Sequence, residues 1–292
     1  MPTTVPTHLE LPDATIAYDA HGPLPTADGQ PPLLMIGQPM DARGFATLAS
    51  YFPDRTVITY DPRGLGRSTR RDGSTRNSPV QQADDLHHLV AALGSGPVDL
   101  FASSGGAVTA LALVAEHPDD VRTLVAHEPP VLSVLPDADA AFAAERRVHQ
   151  TYAERGWGAG MAAFIAFSSW RGEVPDDLGT QPPDPAAFGL PSQDDGSRDD
   201  PLLSGASDDV TAYRPNLDAL RATPARLVVA AGTESRDLLT WRTSAALAAS
   251  LGTELAVFPS HHGGFNGPEF GQPGQPEAFA ARLREVLAEA SS

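Results

Sequence analysis

The stretch V-D-L-F-A-S-S-G-G-A-V-T-A-L-A-L-V-A-E-H-P, from Val98 to Pro118, decides the fold. A short apolar run, Val98 to Ala102, stops at Ser103-Ser104-Gly105-Gly106. An Ala/Val/Leu segment with helical character follows and ends at Pro118. A strand, a tight turn carrying a serine and a helix make the shape of a nucleophile elbow, usually written G-x-S-x-G. Here it reads A-S-S-G-G, so Ser104 stands at the nucleophile position and Ala102 replaces the first glycine. Small neighbours matter because a nucleophile of this kind sits on strained backbone with other chain segments packed against it.

Working outward, strands and helices alternate on both sides of this stretch. Residues 8–11 and 14–19 read as a strand pair around Pro12-Asp13, Leu33 to Ile36 as a buried strand, and Thr56 to Tyr60 as another. Phe45 to Phe52 reads as a short helix. Ser78 can cap a helix with Pro79 in its first turn, and Ala83, Leu86, Leu89, Val90 and Leu93 repeat at helical spacing before Gly94. After the elbow, a strand is expected over Val121 to His127. The rhythm then breaks. Residues 141–155 and 159–170 look helical, and Pro175 to Asp209 is rich in Pro, Asp, Gly and Ser and reads as loop. It returns with strand 226–231, helix 238–251, strand 254–258 and a final helix from about Gln275, whose Phe279, Leu283, Val286 and Leu287 form one face. The expectation is an α/β fold: a mostly parallel sheet, helices on both faces, and an antiparallel entry. Residues 1–130 and 222–292 form the core and 131–221 an inserted helical cap.

Composition narrows the function. The formal net charge is −17, which disfavours nucleic acid and anionic membrane as partners. All basic residues are arginine, so a lysine Schiff base and a P-loop lysine are excluded. There is no cysteine, which removes disulfides, thiolate metal sites and a cysteine nucleophile. No apolar run reaches membrane-spanning length, and the start M-P-T-T-V-P-T-H-L-E carries no secretory signal pattern, so a cytoplasmic location is expected. No internal repeat is visible.

Four landmarks now stand in one order: I-G-Q-P from Ile36, D-P-R-G-L-G-R-S from Asp61, the elbow at Ser104, and H-H-G-G-F from His261. With these the chain resembles the α/β-hydrolase fold superfamily, in its serine esterase and cofactor-free haloperoxidase-like branch, over nearly all of its length except the cap. The resemblance implies a histidine base after the last strand. His261 and His262 compete, and His262 is preferred because it directly precedes the glycine pair. The acid departs from the common pattern. Gly232-Thr233-Glu234-Ser235 puts serine where most members carry it, with Glu234 and Asp237 out of register. Haloalkane dehalogenases carry their acid after the strand that follows the elbow helix, and Glu128 holds that place here. Glu128 is preferred, with Glu234 and Asp237 as alternatives and a bare Ser–His dyad behind them. The oxyanion hole is expected from the backbone N–H groups of Gln38 and Gly105.

Arg63 is expected to tie loops together. His127 is left open, and His8, His21, His87, His88, His117 and His149 are read as solvated. Asp194-Asp195-Gly196 lacks the ligand spacing of a calcium loop. Trp157, Phe164, Phe167 and Trp170 are spaced to line either a pocket or a helix-packing core. The resemblance implies a serine hydrolase of a small carboxylic ester, lactone or related acyl compound, working through Ser104, His262 and Glu128 without cofactor or metal. Perhydrolase, C–C cleavage or lyase-type chemistry on the same constellation is the alternative, and a ligand-binding protein on the same scaffold is a third. The sequence does not fix the oligomeric state or the natural substrate.

Overall fold

The computed structural model describes residues 4–26, 29–268 and 272–289; residues 1–3 of the N-terminal stretch read above lie outside them. The strands are β1 (Thr4–Leu11), β2 (Ala14–His21), β3 (Leu33–Gln38), β4 (Val57–Tyr60), β5 (Thr69–Arg70), β6 (Val98–Ser104), β7 (Val121–His127), β8 (Arg226–Gly232) and β9 (Ala256–Phe258). The helices are α1 (Ala46–Ser50), α2 (Pro79–Leu93), α3 (Gly105–Glu116), α4 (Ala138–Arg155), α5 (Trp157–Ser168), α6 (Asp208–Thr211), α7 (Leu217–Ala222), α8 (Leu239–Leu251) and α9 (Pro276–Ala288). One sheet runs β1-β2-β4-β3-β6-β7-β8-β9, with β5 added to β2. β1 and β2 are antiparallel, β2 meets β4 antiparallel, and every pairing from β4 to β9 is parallel.

The central strands are buried on both faces and alternate between two cores. Leu34, Ile36, Leu100, Ala102, Leu124 and Ala126 pack against α2 and α3, while Leu33, Met35, Phe101, Val125 and Phe258 pack against the α1 and α9 side. The expected α9 face is the one that is buried: Phe279, Leu283, Val286 and Leu287 enter the second core. Helix α2 is closed at both ends by the residues the sequence offers, Ser78 accepting from the Gln81 N–H and Gly94 taking the left-handed conformation. Several element bounds shift by a few residues, including those of α1, α4 and α5, and two of the shifts lie at the sheet edges. β1 and β2 pair over eight residues each, longer than read. β9 begins at Ala256 instead of Glu254 because it is an edge strand that pairs only with Ala230, Ala231 and Gly232.

Connectivity locates the crevice. The chain leaves β3 toward β4 on one side, and leaves β6 toward β7 on the other. β3 and β6 are neighbours whose C-terminal connections diverge, which makes their carboxyl ends a topological switch point, where open α/β sheets bind ligands. The register puts Gln38 opposite Ser104 there. Between β7 and β8 the chain builds α4 to α7 over a third cluster that includes Ala141, Ala144, Val148, Tyr152, Ala163 and Phe167. The Pro-rich stretch carries a single 3-10 turn, Pro185–Phe188, before α6. Arg63 is buried, donates twice to Asp85 at 2.8 and 2.5 Å, and pairs with Asp13 at 2.9 Å. It thereby joins the loop after β4 to α2 and to the β1–β2 turn. Among the described residues no helix is long and apolar enough to cross a membrane.

The elbow packs through glycine. A Cβ on Gly106 would stand 2.7 Å from Gly37 Cα and 2.9 Å from Ile36 O, both backbone atoms that cannot swing aside. Gly106→Ala is therefore expected to destabilise the protein by about 2–3 kcal/mol, read as a lowered denaturant midpoint with an unchanged m-value.

Candidate active site

Ser104 closes β6 with φ 56° and ψ −129°, a conformation that an L-residue adopts only when its surroundings impose it. Gly105 starts α3 immediately after it. A Cβ on Gly105 would lie 3.0 Å from Gln38 O and 3.2 Å from Gln38 Cβ, so the end of β3 presses directly on the elbow. Gln38 is buried, and neither its amide nitrogen nor its amide oxygen finds a hydrogen-bond partner among the described residues.

One strand further along, Glu128 repeats the pattern. Ser103 pairs with His127 across β6 and β7, so Ser104 and Glu128 are the next residues on adjacent strand ends. Glu128 also has positive φ, at 51°, and its side chain is fully buried. A buried carboxylate needs donors. Oε1 accepts from the Gly232 N–H at 2.9 Å at the end of β8. Oε2 accepts from Thr240 Oγ1 at 2.5 Å in the first turn of α8, and from His262 Nδ1 at 2.7 Å in the loop after β9. Burial pushes the Glu128 carboxyl up, but the His262 bond and charge, with the Thr240 hydroxyl, outweigh it and hold the group well below the ordinary range. The same pair acts on His262: burial pushes the imidazole down, and the bond and charge of Glu128 raise it above its ordinary value. Gly232 permits this closure, since a Cβ there would come within 2.5 Å of Ser260 O.

Ser104 and His262 line one cavity of about 300 Å³. Phe164 and Phe167 of α5, with Leu132, Val148 and Leu239, give it apolar walls. The structure thus brings Ser104, His262 and Glu128 together, with Gln38 and Gly105 beside the elbow. Glu234 and Asp237 lie on the exposed turn after β8, where Glu234 faces Gln275 at 3.4 Å, and neither lines the cavity. His261 receives the Gly263 N–H at 3.0 Å and does not line it either. Of the four spaced aromatics, Phe164 and Phe167 face the cavity, Trp157 donates to Asp200 at 3.0 Å, and Trp170 is exposed. Asp194 pairs with Arg198 at 2.6 Å.

Several site residues escape sequence reasoning. Thr240 carries no motif that marks it as a donor to Glu128. His127 is fully buried among Phe101, Phe258, Phe265 and Phe279, 6.2 Å from the His262 ring, and burial pushes it down to about 4, so it is a neutral platform. His149, read as solvated, lines the cavity together with Glu145 and Asp208. Their one legible signal is the shared spacing of Glu145, Val148 and His149 on α4. Among the described residues one cluster has ligand atoms close enough to hold a metal ion, His87, His117 and Asp120, at the opposite end of α3 from Ser104.

A parallel sheet with an antiparallel entry, an elbow at its switch point and a histidine–carboxylate pair across the next strands together define the α/β-hydrolase fold, and this chain has that fold. A family model described as alpha/beta hydrolase fold matches residues 31–168. A hydrolase of Bacillus subtilis (strain 168), YraK, is 27% identical over 284 residues, covering 96% of this chain and 94% of its own. A thermophilic esterase from Thermogutta terrifontis superposes with a TM-score of 0.62 at 23% identity, over 99% of this chain and 100% of that one. A haloalkane dehalogenase variant from Bradyrhizobium elkanii gives 0.63 at 23% identity, over 99% and 97%.

The pair can be tested without any substrate. His262 is expected to titrate above 6.5 in the folded protein, because Glu128 favours its protonated form. In Glu128→Gln the raising cause is gone and burial remains, so the imidazole should titrate below 6.5. Histidine-selective NMR titration of both proteins reads this, and an unmoved His262 would break the pairing.

Proposed function

We propose that the protein is a serine hydrolase of small carboxylic esters, lactones or related acyl compounds, with Ser104 as nucleophile, His262 as general base and Glu128 as the acid. The observation that carries the reading is the 2.7 Å contact between His262 Nδ1 and Glu128, in a histidine that shares a cavity with Ser104. With Nδ1–H donated to the carboxylate, neutral His262 keeps its lone pair on Nε2. That nitrogen takes the Ser104 Oγ proton as the oxygen attacks the carbonyl carbon. The negative charge that develops on the carbonyl oxygen is met by the backbone N–H groups of Gly105 and Gln38. Collapse expels the alcohol, which leaves with the proton from Nε2, and an acyl-enzyme remains. Water then loses a proton to His262, attacks the acyl carbon, and releases the acid and Ser104. Residues 131–221 serve as the cap: α4, α5 and α6 supply much of the cavity lining and restrict the pocket to small acyl compounds.

Fluorophosphonate labelling followed by intact mass, together with p-nitrophenyl acetate turnover, tests this reading. The wild type is expected to take one adduct, and Ser104→Ala none. Glu128→Gln should lower turnover on the order of 10⁴-fold, whereas Glu234→Gln and Asp237→Asn should stay within about twofold. A wild type that neither labels nor hydrolyses the ester would overturn it, and a loss in Glu234→Gln would move the acid.

A further inference from the structure

The proposed mechanism uses only the core side of the cavity. The cap side carries a second polar group that it leaves unexplained. Glu145 and His149, one turn apart on α4, and Asp208 and Thr211 of α6 line the same space as Ser104 and His262. Thr211 Oγ1 donates to Glu145 Oε2 at 3.0 Å, and the other oxygen of Glu145 has no hydrogen bond among the described residues. The atom Asp208 Oδ1 is buried and has no hydrogen-bond partner among the described residues, in a side chain that is 42% exposed overall. It lies 3.3 Å from His149 Nδ1, within ion-pair range but without hydrogen-bond geometry. Arg146 adjoins Glu145 along α4 but is exposed and does not line the cavity. Among the described residues the lining includes no arginine, and the chain has no lysine.

Two carboxylates facing a largely apolar cavity, one with an oxygen that lacks a donor, carry an unrepaid desolvation cost, although serine and threonine hydroxyls share the lining. A carboxylate left short of donors is a site for a group that brings them. An anionic substrate would meet like charge, and a purely apolar one would leave the orphan unsatisfied. We propose that Glu145, His149 and Asp208 form a subsite for a positively charged group, so that the substrate is an ester or related acyl compound bearing an ammonium group. This rests on the serine hydrolase reading above. Burial pushes Glu145 up to about 7 against the Thr211 bond, and pushes His149 down against the pull of Asp208. An arriving cation would therefore draw the proton off Glu145 and leave His149 uncharged beside it.

The test uses three isosteric probes on the full chain: n-butylammonium, n-butanol and n-butyrate. Their affinities are read by ligand-observed NMR titration in an amine-free buffer. Their position is read by the shift of the His262 imidazole resonance and by competition with p-nitrophenyl acetate. The ammonium is expected to bind about tenfold or more tighter than the alcohol, and butyrate weakest. Glu145→Gln and Asp208→Asn should each cut the ammonium-to-alcohol ratio, and the double variant should bring it near one. The ratio is taken within each variant, so a change in turnover does not enter. Equal binding of ammonium and alcohol, or a preference that survives the double variant, sinks the proposal. So does ammonium binding that leaves His262 unshifted. If the ammonium preference stands but the ester is not hydrolysed, the serine hydrolase reading falls and the cation subsite remains.

Discussion

The buried carboxylate of Glu128 is the constraint on which the site's geometry depends. A charge with no access to water holds its place only if every lone pair that matters is met. Here the donors come from three separate elements: the end of β8, the first turn of α8 and the loop after β9. Satisfying one side chain therefore fixes three chain segments relative to β7. The Thr243 hydroxyl extends the same clamp, donating to Pro129 O at 2.7 Å and so binding α8 to the residue after Glu128. Because β7 is in register with β6, fixing Glu128 also fixes His262 relative to Ser104.

The strain in the backbone follows the same logic. Ser104 and Glu128 both hold positive φ at adjacent strand ends, a conformation that costs on the order of 1–3 kcal/mol for each. Each is held there by packing that has no slack. At Ser104 the glycines behind the elbow sit against β3 backbone, and at Glu128 both carboxylate oxygens are engaged. The turns aim two side chains out of the sheet at its switch point. A relaxed strand end would leave them in the pleat.

How much of this is legible in the sequence differs by level. The sheet and its helices are, because burial on both faces writes apolar runs such as Leu33–Ile36 and Leu100–Ala102, and amphipathic helices write periodicity with caps at Ser78 and Gly94. Ser104 is legible because a strained turn demands small neighbours in a fixed local pattern. Glu128 is legible only through resemblance: a glutamate before two prolines says nothing about a histidine 134 residues later. Thr240 and Gly232 are not legible, since their roles arise from a three-dimensional convergence that no local spacing encodes. His149 misleads for the opposite reason. Its α4 spacing marks a helix face, but whether that face meets water or a cavity depends on where the intervening loop returns as α6.

The carboxylate behind His262 and the acidic groups that line the cavity contrast in their surroundings. Glu128 is fully enclosed, fully partnered and held ionised by its neighbours. A charge so partnered is set by the fold and does not depend on an occupant. Glu145 and Asp208 are less enclosed and under-supplied with donors, and Glu145 is balanced near neutrality by burial. A group in that condition has its ionisation set by whatever enters beside it. In the proposed mechanism the core supplies a pre-organised charge, because chemistry demands geometry fixed in advance. In the proposed subsite Glu145 and Asp208 supply adjustable charge, and discrimination comes from the oxygen that the wrong occupant leaves unpaired.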